Sequence, residues 1–407
     1  MRLQPSNRRR FLENATKVGA AFVAGAGAAQ SQSPATEKPA PDDPTQAPGR
    51  PARPYGERSR FEKSVRNASG TGTSSLTPLQ DLKGIITPSS LHFERHHAGV
   101  PDIDPSRHRL LIHGLVDRPL ILTMDEIKRF PSVSRIHFME CSGNGFRARA
   151  TAKTVQEGHG LVSCAEWTGV SLGLLLREAG VQSGANWIVA EGSDAAKMTR
   201  SVPLAKATKD VLLAYAQNGE AIRPEQGYPL RMFVPGWEGN IAIKWLRRIK
   251  VVDQPYMTRE ETSKYTDLMP DGTARQFTFE MDPKSLITYP SGGQKLAGAG
   301  FYEISGLAWS GRGAIRRVEV STDAGRTWRD AELQTPVIPI AFTRFRYGWK
   351  WDGGEAVIQS RCTDEHGDVQ PTLRDLVKAR GENWGYHFDP IQPWRIQTDG
   401  SVLNALA

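Results

Sequence analysis

Cys141 is the residue whose position in this sequence most directly suggests chemistry. It follows an apolar run of alternating character, Ile136–Glu140, and precedes a turn rich in glycine and asparagine, Ser142–Gly145. This order places a thiol at the end of a strand, where a loop can approach a ligand closely. A single cysteine among apolar residues is more often part of a core, so a functional role for Cys141 depends on other segments.

The other two cysteines, Cys164 and Cys362, do not form a disulfide framework with Cys141. Cys362 alternates in register with Ala356 and Ile358, which predicts a core position for it. The sequence contains no Cys-x-x-Cys-His motif for haem attachment and no zinc-type cysteine pair. We therefore expect any haem that exchanges electrons with this protein to lie on another chain.

Length and composition are those of a two-domain globular protein. The 407 residues can form two domains with a core each, and contents of 39% hydrophobic and 24% charged residues are typical of globular chains. The net charge of +8 is not a nucleic-acid signal, because +4 of it comes from the first 30 residues. The remainder fits an anionic substrate, an acidic partner or an ordinary solvated surface.

The N-terminal segment has the features of an export signal. Arg8–Leu12 fits the twin-arginine pattern, and a weakly hydrophobic stretch rich in glycine and alanine, Val18–Ala29, follows it. We expect residues 1–30 to be a twin-arginine signal peptide that directs the folded protein to the periplasm; a disordered basic arm is the alternative. Residues 31–75 are rich in Pro, Ser, Thr and Gln and predict a flexible linker.

The predicted first domain, residues 76–275, mixes helix and strand patterns, which indicates an α+β fold. A helix is expected after Thr123, whose hydroxyl can cap it together with Glu126. A second helix is expected over Val170–Ala179, ended by Gly180. Runs of strand character are Arg109–Gly114, Ile136–Glu140, Leu230–Pro235 and Ile241–Val252.

The predicted second domain, residues 282–395, alternates at a period of two. Turns are expected at Asp323–Gly325 and Asp364–Gly367. Several short strands at this spacing predict an all-β, immunoglobulin-like sandwich. The runs are Phe301–Trp309, Ala314–Ser321, Thr327–Leu333 and Ala356–Cys362.

Several common catalytic motifs are missing. The sequence has no phosphate-binding loop and no Gly-x-Ser-x-Gly elbow, and Gly298-Ala-Gly300 lacks the third glycine of a dinucleotide fingerprint. His96 and His97 are adjacent, and adjacent residues of a strand or helix rarely bind one metal ion together.

Seven segments between residues 85 and 365 together resemble the sulfite oxidase family of molybdenum enzymes. They occur in the order found in the family, and Tyr265 follows at the spacing of the family's active-site tyrosine. The segments are Phe93–His97, Glu140–Asn144, Gly160–Gly169, Glu191–Asp194, Gln226–Arg231, Val234–Gly236 and Ile243–Trp245.

The resemblance implies a molybdopterin cofactor with one molybdenum per chain and assigns a role to each matching residue. Cys141 would bind the metal as a thiolate, kept ionised by neighbouring positive charge. Arg231 and Lys244 would neutralise the cofactor's phosphate. Arg95 and Tyr265 would be catalytic, orienting an oxyanion substrate. The implied cofactor-binding residues are Phe93, His97, Asp194, Gln226, Arg231 and Lys244.

Two departures from the family pattern concern the substrate. Phe146 stands where sulfite oxidases have a second active-site arginine, with Arg147 and Arg149 out of register, and Gln226 stands where they have a histidine. Three segments, Glu140–Gly145, Gln226–Arg231 and Pro235–Asn240, resemble the sulfane dehydrogenase branch. That branch acts on sulfur carried by a protein-bound cysteine and passes electrons to a c-type cytochrome. Oxidation of free sulfite is the alternative, and a cofactor-free binding protein built on the sandwich is a second one.

The resemblance also implies an assembly. The sandwich would mediate dimerisation, giving a homodimer or, with the cytochrome subunit, a heterotetramer. An arginine of the sandwich would reach back to the active site, and both Arg344 and Arg346 are candidates.

Overall fold

The structure is a computed structural model that describes residues 48–68, 70, 72–146, 148, 151–382 and 385–406. The predicted signal peptide and the first part of the predicted linker lie outside these residues. The chain divides into two units, Met1–Glu62 and Lys63–Ala407. The described residues of the first unit form no helix or strand. In the part of the chain that the structure describes, no helix combines the length and apolar character needed to cross a membrane.

The second unit begins with a region of mixed secondary structure that extends to Gln276. Its strands are β1 (Asn67–Ala68), β2 (Ser74–Leu76), β3 (Glu94–Arg95), β4 (Arg109–Gly114), β5 (Leu120–Thr123), β6 (Ser132–Glu140), β7 (Val162–Ser171), β8 (Trp187–Gly192), β9 (Thr199–Pro203), β10 (Leu212–Gln217), β11 (Glu220–Ala221), β12 (Arg231–Phe233), β13 (Leu246–Val252), β14 (Thr266–Leu268) and β15 (Ala274–Gln276). Its helices are α1 (Met124–Arg129), α2 (Val155–His159), α3 (Leu172–Ala179), α4 (Leu204–Lys209) and α5 (Arg259–Ser263).

Two five-stranded sheets form the centre of this region. One has the order β11-β10-β7-β6, with β12 also paired to β10, and the other has the order β5-β4-β13-β8-β9. The pair β13 and β4 is parallel, whereas the other pairs in these two sheets are antiparallel. Strands β1 and β2, at the end of the predicted linker, pair with β3 in a small third sheet, and β14 pairs with β15.

The C-terminal region consists of two facing antiparallel sheets. Its elements are β16 (Lys284–Tyr289), β17 (Gly300–Trp309), β18 (Ile315–Ser321), β19 (Arg329–Asp330), β20 (Glu332–Leu333), β21 (Thr343–Trp351), β22 (Ala356–Asp364), α6 (Leu373–Arg380), β23 (Trp394–Ile396) and β24 (Val402–Asn404). The sheet orders are β16-β17-β21-β20 and β19-β18-β22-β23-β24. The α+β region followed by a β-sandwich confirms the predicted fold class.

Several local predictions are confirmed. Strand β4 has the predicted bounds, and β6 ends directly before Cys141. Thr123 and Glu126 form a capping box at α1, each accepting from the other's backbone N–H. Cys362 is completely buried in the sandwich core.

Other predicted bounds are wrong, each for a local reason. Val170 belongs to β7, so α3 begins only after Ser171, although Gly180 ends it in the left-handed conformation as expected. Strand β13 begins at Leu246 because Trp245 adopts a φ of 53°, which interrupts an extended run. The run Thr327–Leu333 is divided into β19 and β20, which belong to different sheets.

One apolar core continues from the sandwich into the first region. It joins sandwich residues such as Trp309 and Phe345 to Phe138 of β6 and Val162 of β7. The rings of Phe138 and Trp309 are 6.3 Å apart. Because β6 leads directly to Cys141, the sandwich packs against the strand that positions the candidate metal ligand.

Close packing inside the sandwich predicts a selective effect of one glycine. A Cβ added to buried Gly306 of β17 would meet Leu286 O at 2.1 Å and the Phe345 ring at 2.5 Å, whereas a Cβ on Gly300 of the same strand meets nothing within 4 Å. We expect Gly306→Ala to lower the free energy of unfolding by about 1–3 kcal/mol. Gly300→Ala is the control, with a change within about 0.5 kcal/mol. Urea unfolding followed by tryptophan fluorescence tests this; equal midpoints for the two variants would contradict it.

Candidate active site

A cavity of about 580 Å³, including its open mouth, brings together eight of the nine predicted site residues. It lies between the loops that follow β3, β6, β8 and the segment before β13. The predicted residues that line it are Phe93, Arg95, His97, Cys141, Asp194, Arg231, Lys244 and Tyr265. The ninth, Gln226, lies behind the cavity wall.

Backbone hydrogen bonds hold the loop that carries Cys141. The Cys141 N–H donates to Leu161 O at 3.0 Å, and the Asn144 N–H donates back to Cys141 O at 2.8 Å. Gly145 has a φ of 99°, and a Cβ there would lie 2.7 Å from the Phe388 ring. Glycine is therefore required at this turn both by its conformation and by the close approach of Phe388.

Burial raises the pKa of the Cys141 thiol above its ordinary value, and the Gly143 backbone and the charge of Arg95 oppose this effect. The prediction that positive charge keeps the thiol ionised concerned the metal-bound form and stays a prediction. Desolvation of a thiolate outweighs the attraction of one guanidinium here. A metal ion binding at Cys141 would have to displace the thiol proton.

Arg231 and Lys244 form a basic wall of the cavity. Arg231 is buried, and its Nη1 donates to the main-chain O of Gln226 at 3.1 Å and to the side-chain Oε1 at 3.2 Å. Lys244 Nζ donates to the carbonyls of Arg95 and Glu225, both at 2.9 Å. Neither cation makes an ion pair in the described structure.

The unneutralised charge of this wall perturbs both groups. Burial lowers the pKa of Arg231 to about 9. Burial also lowers the pKa of Lys244 to about 7, and the nearby charge of Arg231 adds to this effect. An anion bound between the two side chains would reverse these shifts, because it would stabilise their charged forms.

Gln226 connects two site residues instead of lining the cavity. Its Nε2 donates to Phe93 O at 2.7 Å, while its Oε1 accepts from Arg231. The side chain is only 2% exposed. The resemblance implied direct cofactor binding by Gln226, whereas the structure places it where it orients Arg231.

Asp194 lines the cavity, and one of its carboxylate oxygens is buried. It follows β8 and is buried, yet its Oδ1 has no hydrogen-bond partner among the described residues. A buried carboxylate oxygen without a donor is costly, so a ligand N–H at this position would be stabilising. His97 lines the same cavity, and burial lowers its pKa, which favours the neutral ring.

Tyr265 is held by two side chains that the sequence did not reveal. Its ring lies 5.2 Å from the ring of Tyr386 and 4.9 Å from the guanidinium carbon of Arg200. Burial raises the pKa of Tyr265 well above its ordinary value, so its hydroxyl remains a hydrogen-bond donor. Arg200 lacks any sequence signal, because its role depends on the distant contacts of β9.

Arg200 belongs to a buried charge cluster next to the cavity. It is completely buried, 3.9 Å from a carboxylate oxygen of Glu238 and 3.7 Å from one of Glu261. Glu238 also accepts from Asn240 at 2.7 Å, and Asn240 lines the cavity. In the sequence, Glu238 and Asn240 belong to the segment Pro235–Asn240, which carries a family resemblance but no sign of this charge cluster.

The arginines expected from the sandwich lie elsewhere. Arg344 donates to the carbonyls of Leu82 and Gly84, and Arg346 pairs with Glu332. Neither lines the cavity, so the implied reach into the active site is wrong within this chain. Phe146 is 66% exposed and lines a neighbouring cleft, while Arg147 and Arg149 lie outside the described residues.

The cavity fits a molybdopterin cofactor by the groups it leaves unsatisfied. Among the residues that the structure describes, Arg231 Nε and Asp194 Oδ1 are buried without partners, and the two cations of the basic wall make no ion pair. A phosphate suits these cations, an N–H of the pterin suits Asp194, and the soft sulfur of Cys141 suits a metal already bound to dithiolene sulfurs.

Comparison with known proteins agrees with this geometry. The model of the oxidoreductase molybdopterin binding domain matches residues 97–260, and that of the Mo-co oxidoreductase dimerisation domain matches residues 275–388. Mitochondrial sulfite oxidase from Mus musculus is 32% identical in an alignment of 353 residues, which covers 79% of this chain and 61% of the mouse protein. Sulfite oxidase from Gallus gallus is 31% identical in an alignment of 335 residues, which covers 77% of this chain and 70% of the chicken protein.

A solved structure gives a closer match in extent. The sulfane dehydrogenase SoxCD from Paracoccus pantotrophus superposes with a TM-score of 0.86 at 44% identity, covering 89% of this chain and 96% of the matched chain. The domain matches define a molybdenum cofactor-dependent oxidoreductase with a dimerisation domain. The chain belongs to the sulfite oxidase family. It spans less than two thirds of the length of several relatives, including 38% of the length of the nitrate reductase from Ulva prolifera.

The low pKa of Lys244 predicts a pH dependence of stability. In the folded, cofactor-free protein Lys244 loses its proton near pH 7, whereas in the unfolded chain it does so at about pH 10. Between these pH values the unfolded chain carries a proton on Lys244 that the folded protein lacks. The free energy of unfolding therefore rises with pH in this range. We expect the free energy of unfolding of the wild type, relative to Lys244→Met, to increase from about pH 7 to about pH 10. The measurement is chemical denaturation of both proteins across this pH range. If their free energies of unfolding changed in parallel with pH, the prediction would be contradicted.

Proposed function

We propose that this protein is the molybdenum subunit of a periplasmic sulfane dehydrogenase, which oxidises sulfur bound to a carrier protein. The comparisons support molybdenum-dependent sulfur oxidation. The observation that carries the proposal is the convergence of Cys141, Arg95 and Tyr265 on one cavity with the basic pair Arg231 and Lys244. The structural match to SoxCD at 44% identity supports the choice of the sulfane dehydrogenase branch.

Each cavity residue has a role in this chemistry. The bound cofactor supplies oxygen-atom transfer and accepts two electrons. Cys141 holds the metal, while Arg231 and Lys244 bind the phosphate and thereby fix the cofactor in register with Cys141. Arg95 attracts the negatively charged sulfur group, and the Tyr265 hydroxyl, whose pKa is raised by burial, donates a hydrogen bond to oxygen on the substrate.

The missing arginine favours a carrier-bound substrate over free sulfite. Phe146 stands at the position of a family arginine and is exposed at a cleft beside the cavity. Free sulfite is a small dianion whose binding depends on guanidinium groups. A sulfur attached to a carrier obtains part of its affinity from contacts outside the cavity, so it tolerates this loss better.

The proposed partners follow from the redox chemistry and the domain match. Electrons pass one at a time to a c-type cytochrome on another chain, since the sequence has no haem motif of its own. The dimerisation domain suggests a homodimer, or a heterotetramer once the cytochrome subunit is included. Export through the twin-arginine pathway would place this assembly in the periplasm.

The first test concerns the metal ligand. We expect Cys141→Ser to lower turnover at least about a thousandfold, because a serine hydroxyl is a poor ligand for a soft, dithiolene-bound metal. Cys164→Ser is the control, since Cys164 is completely buried and does not line the cavity. Turnover by Cys141→Ser at the wild-type rate, or less than about 0.1 molybdenum per wild-type chain from a molybdate-replete host, would contradict the proposal.

The second test concerns the substrate and the electron acceptor. Purified holoenzyme is given a c-type cytochrome and either free sulfite or sulfane sulfur on a carrier-protein cysteine. We expect kcat/KM for the carrier-bound substrate to exceed that for sulfite at least about tenfold. Phe146→Arg should narrow this ratio by improving KM for sulfite. A preference of the wild type for sulfite would support the free-sulfite alternative, and no reduction of any c-type cytochrome would remove the proposed acceptor.

A further inference from the structure

The residue directly before Cys141 carries a buried carboxylate on which three donors converge. Glu140 is 1% exposed. Its Oε1 accepts from Lys284 Nζ at 2.9 Å and from Asn144 Nδ2 at 2.8 Å, and its Oε2 accepts from Trp309 Nε1 at 2.7 Å. None of these side chains lines the cavity, so the role of the cluster is not direct contact with cofactor or substrate.

Two of the three donors come from the other domain. Lys284 is the first residue of β16 and Trp309 the last residue of β17, and these two residues are paired across the sandwich sheet. Lys284 is 2% exposed and also donates to Phe388 O at 2.8 Å. Phe388 is the residue whose ring presses on Gly145. The sandwich therefore contacts the Cys141 loop through a carboxylate and through a ring.

The third donor, Asn144, belongs to the Cys141 loop itself. Asn144 binds Glu140 with its amide nitrogen, and its Oδ1 accepts from the Leu161 N–H at 3.0 Å. Leu161 O in turn accepts from the Cys141 N–H. Because Glu140 precedes the ligand and Asn144 follows it by three residues, fixing the carboxylate fixes both sides of Cys141.

The donor pattern requires a carboxylate and a cation together. A glutamine at position 140 would offer one acceptor oxygen and turn an N–H₂ group toward one of the donors. Loss of the Lys284 ammonium would leave a buried carboxylate without its counter-charge, which strongly favours local rearrangement. The geometry of the loop is therefore coupled to two residues of the sandwich.

We propose that Lys284 and Trp309 are positioning residues for the metal centre, holding the Cys141 loop in its metal-binding geometry through Glu140. The inference rests on the assignment of Cys141 as metal ligand in the proposed function. It gives the sandwich a role inside each chain, separate from any contact between two chains.

The test compares Lys284→Met and Trp309→Phe with the matched control Lys295→Met. Lys295 also belongs to the sandwich region and pairs with Asp399 at 3.4 Å, but its side chain is 65% exposed. The first readout is amide hydrogen exchange of residues 141–146 in the cofactor-free full chain. We expect exchange about tenfold faster in Lys284→Met, a smaller increase in Trp309→Phe and no change in the control.

The second readout is molybdenum retention by the holoenzyme. We expect loss of the metal during dialysis to be about 10- to 100-fold faster in Lys284→Met, as is typical when the support of a metal ligand is removed. The Mo(V) electron paramagnetic resonance signal should broaden in both variants, because the loop samples more than one geometry. The control should match the wild type in both measurements.

Wild-type loop exchange and metal retention in the two folded variants would overturn the inference. It would also be overturned if exchange rose equally in β4 and β13, since that pattern reports global destabilisation. Should Lys284→Met fail to fold, Trp309→Phe decides alone, because it removes one hydrogen bond without exposing a charge. The proposed function fails separately: turnover by Cys141→Ser at the wild-type rate contradicts the ligand assignment and leaves the loop-exchange result unaffected.

Discussion

The buried ion pair between Glu140 and Lys284 is the interaction on which the arrangement of the two domains and the candidate metal ligand depends. Charges at this depth are stable only when they are paired and hydrogen-bonded. One domain supplies the anion and the other the cation, so neither satisfies its own charge alone. Both charged side chains are buried, and Trp309, which donates to Glu140, belongs to the apolar core that continues to Phe138. The packing of the two domains and the position of Cys141 therefore depend on the same ion pair.

In the cavity, by contrast, several polar groups lack a hydrogen-bond partner or a counter-charge among the described residues. Within the described part of the chain, Arg231 and Lys244 donate to carbonyl and amide oxygens but to no carboxylate, and Asp194 keeps a buried oxygen without a donor. Such groups lower the stability of the protein alone, and this loss is offset only when a ligand of complementary charge binds. Gln226 shows the contrast, since its amide is satisfied at both ends by the protein. Among the buried groups without partners, those of Asp194 and Arg231 belong to residues that line the cavity, where a bound cofactor can complete them.

The sequence predicted the fold class, the end of β6 before Cys141 and most of the cavity lining, because these depend on local periodicity and on short motifs. It missed β21, whose alternation of Phe345 with the charged Arg344 and Arg346 is visible only once the strand is recognised. It could not predict Lys284 or Arg200. Lys284 contacts Glu140, which lies 144 positions earlier in the chain, and Arg200 contacts Glu261, which lies about 60 positions later. No local sequence pattern indicates such contacts.

The electrostatics of the cavity also bear on substrate choice. Arg200 cannot stand in for the arginine replaced by Phe146, because it is completely buried behind Tyr265 and is held between Glu238 and Glu261. Those two carboxylates offset its charge, so its main effect at the cavity is to orient the tyrosine ring. A small dianion entering this cavity would find less positive charge than the family pattern provides. A substrate whose sulfur is tethered to a carrier needs less from the cavity itself, since part of its binding energy comes from the surface outside.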